Sequence, residues 1–458
     1  MSLKRHGESS GNVLAVSLFC ACLCSFTIEG RVLSGVAGRF GFSCGELVLA
    51  AMAAHVCGLL SGGLFVRDWF SARRLFICGC LFSLPALLPF FFSPSTLWYV
   101  ALLSKAYICG LALAAWGAML RTCTQRGQRF RVCADLLILT AVFVSFIYAV
   151  MDLFSPFAAL ALDMFFMAAA AFVGARLPAP EKMAAAPADA GLLFPAALLC
   201  IFILIFTINS GLMYQVVLPA FGGAGGLANW YWNVPYVAAI AVLRFAPVKN
   251  KHFWSLYVGI VMLMLSFVAF AVLGRGTAGF VTVNTLMLAA FGIFDLFWWS
   301  VIAEMLDYAR NPAALFGVCL AANVGGVALG GTAGHVFAQL GYHGSNVALL
   351  AMFVICVALL LMPLLNAKLL SLLNDQTFLP PRRQDVKTQT AAVPEPPLVP
   401  LTKRESDVFR LLLERKSNAE IAAELCLTEN TIKTHVRNIL AKYEVPSRKE
   451  LFCKLAGK

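Results

Sequence analysis

Near the end of the chain, Asn430, Lys433, Thr434 and Arg437 fall on one side of a helical net. Two cations one turn apart, among side chains that exchange hydrogen bonds, suit an anionic partner. The amides of a helix N-terminus favour phosphate as well. The same face would also suit the solvated side of a small bundle. A second set is set apart by its surroundings. Lys105, Asp163, Asn209 and Asp295 each interrupt a long apolar run. An ionisable group in lipid costs ~2.5–3.5 kcal/mol on insertion scales, so it faces a bundle interior. There it binds a small molecule or a proton, or pairs with a neighbouring helix. His55 and Asn323 read equally well as links between helices. The fifteen cysteines form no metal framework, because no C-x-x-C pair exists among them. Cys20, Cys22 and Cys24, like Cys78 and Cys80, are two apart and point to different helix faces. No metal site and no cofactor is expected. No H-E-x-x-H or phosphate-loop pattern occurs, so an enzyme is not expected either.

The tail that carries the basic face reads as four short helices, about 403–415, 418–425, 429–443 and 448–456. Ser or Thr followed three residues later by Glu marks a helix start. Thr402 with Glu405, Ser417 with Glu420 and Ser447 with Glu450 fit, and Thr428 caps a further helix without the acid. In the third helix, Ile432, Val436, Ile439, Leu440 and Tyr443 form a buried stripe. Three residues part the second helix from the third, which is helix-turn-helix spacing.

The remaining chain demands lipid. Of 458 residues, 60% are hydrophobic and 13% charged, about half the charge of a soluble domain. Twelve spans are expected, at about 12–29, 46–66, 75–93, 97–119, 132–153 and 157–177, then 192–219, 229–247, 253–273, 279–303, 313–339 and 346–373. Residues 178–190 bridge the two sets of six. The basic start at Lys4 and Arg5 imitates a signal peptide, but the run Val13–Ile28 is read as the first span. Lysine and arginine stay on the cytoplasmic side. With the N-terminus inside, cytoplasmic segments hold fifteen of them, from Lys4 to Arg310, and outer segments hold only Arg31, Arg39 and Arg275. Both termini are therefore expected in the cytoplasm, at a bacterial inner membrane. Gly326, Gly330 and Gly334 repeat every four residues and permit close helix packing. Trp230, Tyr231 and Trp232, and again Phe297, Trp298 and Trp299, read as interfacial belts. Residues 374–400 form a linker in which six prolines exclude a helix.

The tail closely resembles LuxR/FixJ-type helix-turn-helix regulators over residues 401–455. The resemblance rests on Leu401, Thr402, Arg404 and Glu405, then on Asn418, Glu420, Ile421 and Ala422. It continues through Thr431, Ile432, Lys433 and His435, and closes on Lys442, Ser447, Arg448 and Glu450. It implies that Lys433, Thr434 and Arg437 face base edges and that Thr431 and His435 meet phosphates. It further implies a dimer contact through the last helix. Six spans plus six resemble the major facilitator superfamily. The loop motif of that family is degenerate here: Asp68, Arg73 and Arg74 are present, the spacing is one residue too long on each side, and Ser71 replaces a glycine.

The expected fold is all-α: a twelve-helix membrane domain over 1–373, a linker over 374–400 and a helix-turn-helix domain over 401–458. The expected function is a membrane-bound one-component transcription regulator that senses a small molecule through the bundle. Its partners are double-stranded DNA, the lipid bilayer, a second copy of itself and RNA polymerase. The rival expectation is a secondary transporter with a regulatory DNA-binding tail.

Overall fold

The computed structural model describes residues 2–179, 192–213, 217, 220–221, 231, 233–246, 251–340, 345–374, 401–413, 416–425, 427–448 and 450–451. Among them every regular element is a helix. The chain divides into two compact units, Met1–Phe378 and Leu379–Lys458. Most of the bridge and the linker, Trp230, Trp232, and the latter part of the expected 448–456 helix lie outside the described residues.

The first unit begins with α1 (Ser2–Cys22), which runs on through a π-helical segment, Leu23–Ile28. A short α2 (Arg31–Gly38) follows. The spans α3 (Gly45–Phe65), α4 (Trp69–Leu87), α5 (Thr96–Cys123), α6 (Arg129–Leu153) and α7 (Pro156–Ala175) complete the first half. The second half comprises α8 (Leu193–Leu212), α9 (Asn233–Phe245), α10 (Lys251–Val272), α11 (Thr277–Met305), α12 (Pro312–Gln339) and α13 (Ser345–Asn374). Among the described residues, eleven helices are long and apolar enough to cross a membrane. The expected eighth span is represented by α9, whose 13 residues cover about 20 Å, less than a hydrocarbon core. The first span is woven into the bundle: the Trp116 indole donates to Asn12 at 3.0 Å, and α1 packs on α6 and α7.

The halves meet where α12 lies against α3 and α5, and where α6 lies against α9 and α11. Within the second half, α12 also packs closely on α8. Side chains cannot fit there. A Cβ on Gly330 would stand 2.0 Å from the Ile208 carbonyl oxygen, and one on Gly326 would stand 2.4 Å from that of Leu204. These two glycines thus do what their four-residue spacing predicts, since lipid offers no hydrophobic drive and close van der Waals approach must replace it. Large apolar side chains such as Leu64, Phe146, Phe172 and Leu360 are exposed on the flanks, as a bilayer solvent requires.

One expectation is corrected. Phe297 and Trp298 are not a belt but core, both 1% exposed. The Trp298 ring stacks on Phe294 at 6.3 Å, and Phe206 packs against Phe294. Trp299 packs on Phe316 at 5.4 Å. Offset and edge-to-face aromatic pairs contribute beyond the area they bury, which favours these rings in the core.

The second unit has its own core of Val408, Leu411, Leu412, Ile421, Ile432 and further residues. Its helices are α14 (Lys403–Leu413), α15 (Asn418–Leu425) and α16 (Glu429–Lys442).

Candidate functional site

In the second unit, short-range polar chemistry sets where each helix begins. The Thr402 amide donates to Glu405 at 2.8 Å, and the Glu405 amide donates back to the Thr402 hydroxyl at 3.3 Å. Ser417 and Glu420 repeat the exchange at 2.7 and 3.3 Å, and the Glu450 amide donates to Ser447 at 3.3 Å. Thr428 receives the Thr431 amide at 3.3 Å and so fixes the start of α16. Each reciprocal pair satisfies backbone donors that the helix itself leaves open.

The orientation of α16 is then set by its buried side. Ile432, Val436, Ile439 and Tyr443 are buried, and Tyr443 stacks on Phe409 with centroids 5.2 Å apart. Buried Glu405 accepts a hydrogen bond from the Lys442 ammonium at 2.7 Å, tying the last turn of α16 to the start of α14. That ammonium, together with the Thr402 amide, holds the Glu405 carboxyl down to about 2. Arg448 donates to the Lys416 carbonyl at 3.2 Å and to the Asn418 side chain, closing the turn ahead of α15.

The opposite side of α16 is open. Asn430, Lys433, Thr434 and Arg437 are exposed, with Thr431 and His435 half-buried at the margins. All six residues of the expected interface therefore share one helix. Lys433 makes an exposed i,i+4 pair with Glu429 at 3.0 Å. Such a pair is worth only about 0.3–0.5 kcal/mol and is screened by salt, so an incoming phosphate or base can displace it. A helix about 10–12 Å across fits a major groove about 12 Å wide.

In the first unit, a cavity of about 830 Å³ lies between the halves. Its wall includes Glu29, His55, Tyr236, Asp295, Trp299 and Asn323. Tyr236 donates to Asp295 at 2.7 Å, and Tyr148 donates to Glu29 at 2.5 Å. Of the four sequence candidates, Asp295 alone is part of this wall. Lys105 and Asp163 instead clasp the π-helical segment. Lys105 donates to Thr27 at 2.8 Å, while Ser25 donates to Asp163 at 2.9 Å. Asn209 turns back on its own helix and donates to the Phe206 carbonyl at 3.3 Å. Glu29 escaped the sequence reading because it ends the first span, where an acid looks solvated. Tyr236 gave no signal within an apolar run.

The end of the bundle away from this cavity is latched. Arg129, 2% exposed, donates to the Ala303 carbonyl at 2.8 Å and to Asp307 at 2.7 Å. Arg121 stands 3.9 Å from the same carboxylate, and Asn311 donates to the Gly63 carbonyl at 2.7 Å. Arg244 pairs with Asp135 at 2.5 Å. All five contacts join the first half to the second. At the same end, the degenerate loop has found a local use. Ser71 donates its amide to Asp68 at 2.7 Å and receives the Asp68 amide at 2.9 Å, while Arg73 donates to the Gly174 and Ala175 carbonyls that end α7.

Comparison with known proteins separates the two units. The membrane unit is similar in fold to the human organic anion transporter MFSD10, with a TM-score of 0.57, 14% identity, and 77% of this chain and 99% of that one covered. It is similar to a bacterial homologue of the iron transporter ferroportin in its outward-facing state, with a TM-score of 0.58, 12% identity, and 79% and 99% covered. The first unit thus has a major-facilitator-like fold, and the protein is a multi-pass membrane protein. The tail is 56% identical over 48 residues to the uncharacterized transcriptional regulatory protein YhcZ of Bacillus subtilis, covering 10% of this chain and 22% of the relative. It is 42% identical over 55 residues to the spore germination protein GerE of Bacillus subtilis, covering 12% of this chain and 74% of the relative. Residues 399–455 match the GerE description, bacterial regulatory proteins of the luxR family. Through this domain, whose helix-turn-helix implies DNA binding, the chain belongs to the luxR family of bacterial regulatory proteins.

Proposed function

We propose that the protein is a one-component transcription regulator that binds double-stranded DNA through α16 and senses a small molecule in the membrane cavity. One observation carries the reading: a single chain joins an open Lys433–Arg437 face to a bundle with an 830 Å³ cavity, where one span would anchor the tail. Lys433, Thr434 and Arg437 read base edges, and Asn430, Thr431 and His435 support the approach to the backbone. One domain holds one half-site, so two copies act together on DNA. RNA polymerase is the downstream partner. The arginine-rich latched end lies in the cytoplasm of a bacterium, with both termini, and the cavity faces outward. A ligand acts by preferring one packing of the two halves over another.

The transporter-like fold favours a second reading, a carrier with a regulatory tail. A reporter strain separates the two. Lys433→Ala and Arg437→Ala should each cost about 1–3 kcal/mol in binding of residues 399–458 to a selected site, and should abolish the regulated change in the reporter at unchanged membrane levels. Regulation that survives both substitutions, or that survives deletion of the bundle, refutes the proposal.

A further inference from the structure

The charge of the cavity is one-sided. Its wall carries the carboxylates of Glu29, Glu46 and Asp295, and no lysine or arginine among the described residues that line it. The nearest cations have other work: Lys105 is bonded to Thr27, and Arg31 pairs with Asp152 at 3.1 Å.

The second observation is an orphaned acceptor. His55 is fully buried on the cavity wall, and its Nδ1 lies 3.0 Å from the Ala106 carbonyl. A carbonyl only accepts, so Nδ1 carries the proton and neutral imidazole presents a lone pair at Nε2. That Nε2 is buried and has no partner. Asn233 acts in the same sense. Its Nδ2 is spent on the Ala141 carbonyl and the Ser145 hydroxyl, which leaves its oxygen as the free group. Both of these groups accept hydrogen bonds. An ammonium has three donors and no acceptor. Phe291 and Trp299 offer apolar and aromatic surface beside them, and an aromatic face attracts a cation.

We propose that the cavity binds an organic cation, a protonated amine joined to an apolar body, with Asp295 and Glu29 as counter-charges and His55 Nε2 as an acceptor. This deepens the sensor reading above and rests on it for its biological sense. The ligand enters from the side opposite the Arg129–Asp307 latch, since the lining residues of α1 begin at Cys20 and those of α12 at Leu320.

The test uses the full-length protein in lipid nanodiscs and three probes of one shape: 1-naphthylmethylammonium, 1-naphthalenemethanol and 1-naphthoate. Calorimetric titration should find the ammonium at least about tenfold tighter than the alcohol or the acid. Asp295→Asn and Glu29→Gln should each remove most of that preference while leaving the alcohol unchanged, with helicity intact by circular dichroism. Equal or tighter binding of the alcohol or the acid overturns the inference. So does an ammonium affinity untouched by both substitutions, or no ammonium binding up to about 10 mM. A reporter response to an anionic compound would overturn the inference and leave the sensor reading standing. Ammonium binding without any reporter response would do the reverse.

Discussion

The link between Glu405 and Lys442 offers the sharpest test of how the DNA-binding unit is held together. Glu405 is 4% exposed, receives the Lys442 ammonium at 2.7 Å, and receives the Thr402 amide at 2.8 Å. Glu405→Gln keeps the shape and removes the charge. Charge-assisted hydrogen bonds contribute about 1.5–3 kcal/mol, so a loss of about 2 kcal/mol is expected at neutral pH. For a domain of this size a urea slope of about 1 kcal/mol per molar turns that into a midpoint lower by about 2 M. The pH dependence has a fixed sign. The carboxyl sits near 2 in the folded domain against an ordinary value of 4.5. Its contribution is therefore complete above pH 4.5 and fades as pH falls toward 2, where the folded carboxyl finally takes up its proton. Urea titrations of residues 399–458, followed by circular dichroism at pH 7, 4.5, 3 and 2, should show a gap between the two proteins that closes with acid. Equal midpoints at pH 7, or a gap that persists unchanged at pH 2, would refute the reasoning.

Two further outcomes follow from backbone geometry. Glu444 follows α16 with φ +51°, a left-handed conformation that costs a side chain about 1–2 kcal/mol. Glu444→Gly should raise the melting temperature of the isolated domain by a few degrees, and a fall would show that the glutamate side chain repays the strain. In the bundle, Gly330→Val would drive a side chain into the Ile208 carbonyl of α8, so overpacking should cost about 1–3 kcal/mol. Thermal melts of detergent-solubilised protein followed by size exclusion should show it, and an unchanged melt would mean that α8 and α12 are not held as close as the structure places them.

The tail was readable because its instructions are local. A serine or threonine and the glutamate three residues on settle a helix start between themselves, and Thr402–Glu405 and Ser417–Glu420 bond as their spacing predicts. The stripe from Ile432 to Tyr443 faces the core, since the other side of α16 is polar and only one face can be buried. In the membrane unit the length and apolarity of each span were legible for the same reason: the bilayer tests one helix at a time. The short α9 departs from this because 13 described residues do not reach across by themselves.

By itself, then, the sequence determined the class of fold, the spans, the helix-turn-helix and the open face of α16. Tertiary structure alone decided which intramembrane polar groups share the cavity. In lipid the side chains that face neighbours and those that face acyl chains are equally apolar, so no helical period marks the inner side of a span. Lys105 and Asp163 turned to the π-helical segment, Asp295 turned to the cavity, and Glu29 joined it from a span end. Those directions depend on how α5, α6 and α7 are rotated against the first span, and α9 against α11. That rotation is fixed by contacts between residues far apart in the chain, such as Tyr236 with Asp295 and Tyr148 with Glu29.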